Sequence, residues 1–231
     1  MRMNGKFIFA LCLIALCEGI HAQEYVSNPD TVYGFDPLLY NGRIYTFSYP
    51  WNTSGNQYLT GKEFNKGSIT IRGKQYEDLD LNYDIYNQQL LLNYTSAEGA
   101  SMILEISKSW LNGFSFGQRN FEYIPAGENR IFQVIRDDSV EIQYFWKKEL
   151  KLNNDLGSKT YAFSRPLRSC FVKVNGVNNN YRNNREFSRA FPDAYQKQVS
   201  SFLRAQKINV RKASDGQLHE LVQFCNSLLV K

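Results

Sequence analysis

The chain has 231 residues, a formal net charge of +5 and 21% charged residues. That length suits one medium domain with a real core. The mildly basic charge, read as spread along the chain, lacks the dense basic face that nucleic-acid binding requires. Four cysteines are too few for a disulfide-dense scaffold, while 15 Tyr and 16 Phe favour strands over helices.

The N-terminus carries a tripartite export pattern. Arg2 and Lys6 precede an unbroken apolar run of 11 residues, Phe7 to Cys17. Glu18-Gly19 ends the run, and Ile20-His21-Ala22 supplies a small-residue cleavage site. The run is shorter than the roughly 20 apolar residues that span a bilayer. Residues 1–22 are therefore read as a signal peptide, and the mature chain begins at about Gln23. Cys12 and Cys17 each follow a leucine, which disfavours a lipoprotein signal. Removing Arg2, Lys6 and Glu18 with the signal leaves 209 residues and a net charge of +4. No later run is apolar enough to predict a transmembrane span.

Residues 25–66 are punctuated by Tyr33-Gly34, Asp36-Pro37, Asn41-Gly42, Tyr49-Pro50 and Ser54-Gly55. Short strands are expected there, one over 43–48. Ser68–Arg72 alternates, Gly73-Lys74 turns, and 75–84 alternates again. Leu79, Leu81, Tyr83 and Ile85 define an apolar face, and Asp78, Asp80, Asn82 and Asp84 a wet one. With 90–94 returning, this predicts an antiparallel meander. Further strands are expected at 102–107, 122–124, 130–135, 140–147, 159–164 and 170–174, and a loop or strand at 110–116. Asn175-Gly176 is a hairpin signal, followed by loop-like Asn178-Asn179-Asn180.

The period then becomes helical. Tyr195, Val199, Phe202 and Leu203 follow Pro192, which suits a first helical turn. Ser214 with Gln217 reads as a capping box opening a second helix striped by Leu218, Leu221, Val222, Cys225, Leu228 and Leu229. Lys207–Lys212 is a connector or short edge strand. The two helices need the sheet to bury their stripes.

Candidate chemistry is sparse. His219 is the one histidine of the mature chain, and it lies about 240° around a helix from Cys225. That separation disfavours a shared metal or a nucleophile pair. Asp78-x-Asp80-x-Asn82-x-Asp84 matches the first ligand offsets of an EF-hand loop. Tyr83 stands where that loop needs glycine and Gln89 where it needs glutamate. Asp78, Asp80 and Asp84 are thus expected as a solvated face or a weak cation or partner surface, and nothing marks them as a glycosidase pair. Neither a Gly-x-Ser-x-Gly elbow nor a phosphate-binding glycine loop occurs. No catalytic residue, metal site or cofactor is implied. Trp146 is in phase with Val140, Ile142 and Tyr144, so it is expected in the core. Trp51 and Trp110 sit among Pro, Asn and Gly and are the candidate ligand-binding pair. Cys170 and Cys225 are both expected where helix meets sheet. One bridge between them would close a loop of about 55 residues and contribute roughly 4 kcal/mol.

Several stretches together resemble a set of uncharacterised exported proteins of Bacteroidota. They are Gly67-Ser68-Ile69 leading to Tyr76, Asp78 to Asp84, Phe132-Gln133-Val134 before Asp137-Asp138, Val140-Glu141-Ile142, and Phe187…Phe191-Pro192…Lys207-Ile208…Leu221…Asn226. The resemblance covers most of 65–231. It implies a periplasmic or outer-membrane location, a β-rich body and a helical tail, and it brings no activity. Asp30-Thr31-Val32 and Asp138-Ser139-Val140 look like the Asp-Ser/Thr-aliphatic O-glycosylation motif of such bacteria, with Thr31 and Ser139 as acceptors. In a eukaryotic source, Asn52 and Asn93 would head sequons instead.

The expected fold is mainly β (α+β): an antiparallel β sandwich or open half-barrel with two C-terminal helices packed on the sheet. The β domain is placed at 23–186 and the helical pair at 187–231. The expected function is a non-enzymatic binding or interaction protein of the cell envelope, whose partner is an envelope protein or a small ligand. Alternatives are a carrier or binder of lipid or sugar, and a hydrolase without a recognisable motif.

Overall fold

A computed structural model describes residues 36–230, except 96–98, 126–128 and 156–157. Residues 1–22, expected as a signal peptide, and Thr31 lie outside the described residues. The strands are β1 Arg43–Ile44, β2 Thr53–Ser54, β3 Asn65–Ile71, β4 Lys74–Asp84, β5 Gln89–Thr95, β6 Ser101–Glu105 and β7 Leu111–Phe116. They continue with β8 Arg119–Ile124, β9 Arg130–Asp137, β10 Val140–Lys147, β11 Leu150–Asp155, β12 Ser158–Phe163, β13 Leu167–Val174 and β14 Val177–Asn180. Three helices follow: α1 Asn184–Arg189, α2 Asp193–Ala205 and α3 Asp215–Leu229.

An open, eleven-stranded antiparallel sheet runs β1-β6-β5-β4-β3-β7-β8-β9-β10-β13-β14. Hairpins joining neighbouring strands build most of it. The β11–β12 hairpin leaves the sheet between β10 and β13, and β2 pairs with β12 in parallel to form a second sheet of three strands. The fold is thus mainly β with C-terminal helices packed on an unclosed sheet, as the periodicities predict. The Asn175-Gly176 turn has φ of 48° and 83°, the left-handed pair that a two-residue hairpin of right-twisted strands needs. The asparagines after it pair as β14 and are not a loop. Residues 207–212 form turns and not an edge strand: Lys207 has φ of 52°, and the amides of Lys212 and Ala213 both return to the Asn209 carbonyl at 2.8 Å.

The strict alternation expected along β4 fails at two places, each for a local reason. Gly67 pairs with Leu79 but Ile69 with Tyr76, so Glu77 and Asp78 form a bulge, with Asp78 at φ 56°. Tyr76 and Leu79, three residues apart, thereby face the same core. A Cβ on Gly67 would lie 2.1 Å from the Ser115 carbonyl oxygen of β7, so the close pairing of β3 with β7 requires glycine here. Beyond the bulge, the expected wet face is wet only at Asp78 and Asp80. Asn82 and Asp84 are buried because residues 57–63 lie over them. The Asn82 amide donates to the carbonyls of Gly61, Lys62 and Glu63 at 3.0–3.3 Å, and Tyr58 bridges to Asp84.

Two apolar clusters share the sheet. The N-terminal one gathers Leu39, Leu59, Ile69, Leu81, Tyr83 and Phe121 with their neighbours. In the C-terminal one, Val140, Ile142, Tyr144 and Val172 of the sheet meet Val199, Leu203, Leu218, Leu221 and Val222 of the helices. Trp146 packs against both and donates its indole N–H to Gln133 at 2.8 Å. Ser214 caps α3 through the expected box with Gln217. Pro192 is the N-cap of α2, one position before its first helical residue.

Candidate functional site

The best-formed candidate surface lies along a strap, residues 45–51, that runs on from β1 and turns at Trp51 and Asn52. The Tyr45 amide still pairs with the Ile103 carbonyl of β6, at 2.8 Å. The aromatics fall at alternate positions, Tyr45, Phe47, Tyr49 and Trp51; ring contacts join Tyr45, Phe47 and Tyr49, and Trp51 stands in the turn beyond them. Phe47 packs on Tyr45, Tyr49 and Tyr86 with ring centroids 6.4, 5.6 and 5.8 Å away. Phe163 of β12 closes the strip edge-on against Tyr49 at 5.8 Å and Tyr86 at 5.4 Å. These spacings are those of favourable tilted and T-shaped aromatic pairs. Yet the strip faces out: Tyr49 is 39%, Tyr86 37% and Trp51 95% exposed.

Trp51 is held without being covered. Its loop is tied by Thr53 Oγ1 donating to the Pro50 carbonyl at 2.6 Å and by the Tyr161 amide donating to the Asn52 carbonyl at 2.9 Å. The inner end of the strip is anchored on buried Asp84. That carboxylate accepts from the Tyr45 hydroxyl at 2.6 Å, the Asn87 amide side chain at 2.8 Å, and the backbone N–H groups of Tyr86 and Asn87 at 2.9 and 2.8 Å. One buried acid therefore orients both Tyr45 and the Tyr86 turn. Burial, then the Asp84 carboxylate, pushes the Tyr45 hydroxyl well above its ordinary pKa, so it stays a donor. Lys148 donates to the Asn56 carbonyl at 2.8 Å, a few residues beyond this strap, and desolvation lowers its pKa.

The other candidates fare differently. Trp110 is half-buried against the N-terminal core, with the Arg72 guanidinium 4.0 Å over its ring, so it is not an open platform. Asp78, Asp80 and Asp84 do not converge: Asp80 pairs with Lys66 at 3.0 Å, Asp78 is exposed on the bulge, and Asp84 is buried. Among the described residues no group of three His, Cys, Asp or Glu side chains could hold a metal ion. His219 is exposed on α3. Ser139 sits half-buried in the β9–β10 turn, where its amide donates to Asn226 of α3 at 3.2 Å.

Cys170 and Cys225 are both buried in the cluster between sheet and helices, and both are free thiols; the bridge considered from sequence is not formed. Burial raises both thiols, Cys225 to about 12, so neither forms a thiolate at neutral pH. A thiol reagent should label neither residue rapidly in the native chain and both after unfolding without reductant. No labelling after unfolding would mean that they are bonded.

No helix among the described residues is long and apolar enough to cross a membrane. The strip itself was within reach of sequence reading: four aromatics at strictly alternate positions from Tyr45 are a period-two signal. Its partners Tyr86 and Phe163, far along the chain, were not. Comparison of the chain with protein-family models, with curated proteins and with solved structures finds no match.

Proposed function

We propose that this chain is an exported, non-enzymatic binding protein of the cell envelope that takes glycan ligands on the aromatic strip ending in Trp51. The export pattern of residues 1–22 and the resemblance to exported Bacteroidota proteins support the location. The observation that carries the binding reading is the 95% exposure of Trp51 on a loop tied by the Thr53 hydroxyl and the Tyr161 amide. A flat indole face held open to solvent on a tied loop is a ready stacking surface for a ligand ring. Sugar rings present flat C–H faces that suit such a platform, and hydroxyls that suit the exposed Asn52 beside it. A ligand carried between sheet and helices is disfavoured, because Val140, Ile142, Tyr144 and Val172 there pack directly with the helical stripes.

Tryptophan fluorescence titrated with soluble peptidoglycan fragments and lipopolysaccharide-derived oligosaccharides tests this. The full chain should respond to one of them. Trp51→Ala should weaken that binding at least about tenfold, the scale of a central aromatic contact. No response to either, or an undiminished affinity in Trp51→Ala, would overturn the reading.

A further inference from the structure

The net charge is not evenly spread, contrary to the first reading of the sequence. Residues 182–212 hold eight Lys and Arg against Glu186 and Asp193, a net +6 in a chain whose total is +5. All eight cations are exposed, and none pairs with a carboxylate among the described residues. The two acids are engaged elsewhere. Glu186 accepts from the Arg182 amide at 2.7 Å and from Asn183 at 3.0 Å, and Asp193 accepts from Gln196 at 2.7 Å.

Three of these cations converge. A groove of about 490 Å³ between α1 and α2 is lined by Arg185, Ser200, Arg204 and Lys207, with Leu203 and Ile208 as its apolar floor. Ser200, Arg204 and Lys207 are spaced i, i+4 and i+7, which puts them on one side of α2 and its C-terminal turn. Arg185 approaches from α1. The groove's shape is fixed by Asn184, whose side chain donates to the Ile208 carbonyl at 2.6 Å and accepts from the Val210 amide at 3.0 Å. Ser188 closes the α1 wall, its hydroxyl spent on the Asn184 carbonyl at 3.0 Å. No carboxylate lines the groove.

We infer that this groove binds a phosphate group. Two guanidiniums and an ammonium supply the charge-assisted donors that a tetrahedral oxyanion takes, and Ser200 adds a hydroxyl. The groove is larger than a phosphate ion and its floor is apolar, which leaves room for the organic part of a phosphoester. Arg189 and Lys197 on the same two helices, with Arg182 just before α1, add to the attractive field. This site is separate from the aromatic strip and stands or falls independently of it.

The test uses the full chain with two probes: inorganic phosphate, followed by calorimetry, and vesicles of phosphatidylglycerol with phosphatidylethanolamine, followed by co-sedimentation. The comparison is the double variant Arg204→Gln, Lys207→Gln, both exposed positions that leave the core intact. Lys62→Gln, exposed on the loop before β3, serves as the control for bulk charge. Binding of either probe should fall at least about tenfold in the double variant, as charge-assisted contacts are lost, and stay unchanged in the control. Loss confined to inorganic phosphate identifies a soluble phosphate or phosphoester, and loss confined to vesicles a lipid headgroup. Binding of neither probe, or equal binding by the double variant, overturns the inference.

Discussion

Replacing Asp84 with Ala should cost about 4 kcal/mol of stability, because several donors lose a buried charged acceptor at once. Asp84 is 0% exposed and accepts the four hydrogen bonds that join the strap at Tyr45 to the turn at Tyr86 and Asn87. The half-buried ammoniums of Lys108 and Lys148, both already lowered by desolvation, also lose a nearby counter-charge. Asp84→Asn retains one oxygen acceptor but turns an amide toward the Tyr45 and Asn87 donors, so about half the loss is expected. Urea unfolding reads both variants as midpoint shifts at constant slope. A loss below about 1 kcal/mol for Asp84→Ala would show that the carboxylate does not organise the strap.

The second large effect lies at the helix–sheet seam. Leu221 of α3 is 0% exposed and belongs to the cluster shared with β9, β10 and β13. Leu221→Ala should lose about 3 kcal/mol, the transfer term plus a cavity that rigid strands cannot collapse into. On the same helix, Gln223 is exposed, and Gln223→Ala should stay within about 0.5 kcal/mol. Equal effects at the two positions would mean that α3 is not seated by that face.

These two sites also mark how far the sequence could be read. The α3 stripe and its capping box follow from helical period and local hydrogen bonding, so residues within four of each other suffice to find them. The alternation of Leu79, Leu81, Tyr83 and Ile85 is local in the same way. Asp84 was misassigned to a wet face because its cover comes from Tyr45 and Tyr58, dozens of residues earlier; period two reports which face a residue lies on, not what lies over it. The bulge at Asp78 was hidden for a related reason, since it depends on the register against Gly67. Trp51 and Trp110 looked alike because both sit in turn-rich sequence. Only the fold separates them, by laying Arg72 over one ring and nothing over the other. The basic stretch from Arg182 to Lys212 was countable in the sequence, but its convergence on one groove depends on how α1 meets α2.

The most direct test of the recognition surface compares Trp51→Ala with Trp110→Phe by affinity electrophoresis in gels containing envelope polysaccharide, both variants first shown to be folded by circular dichroism. Retardation of the full chain should disappear in Trp51→Ala and persist in Trp110→Phe. Retardation kept in Trp51→Ala would contradict a binding surface built on the strip from Tyr45 to Trp51.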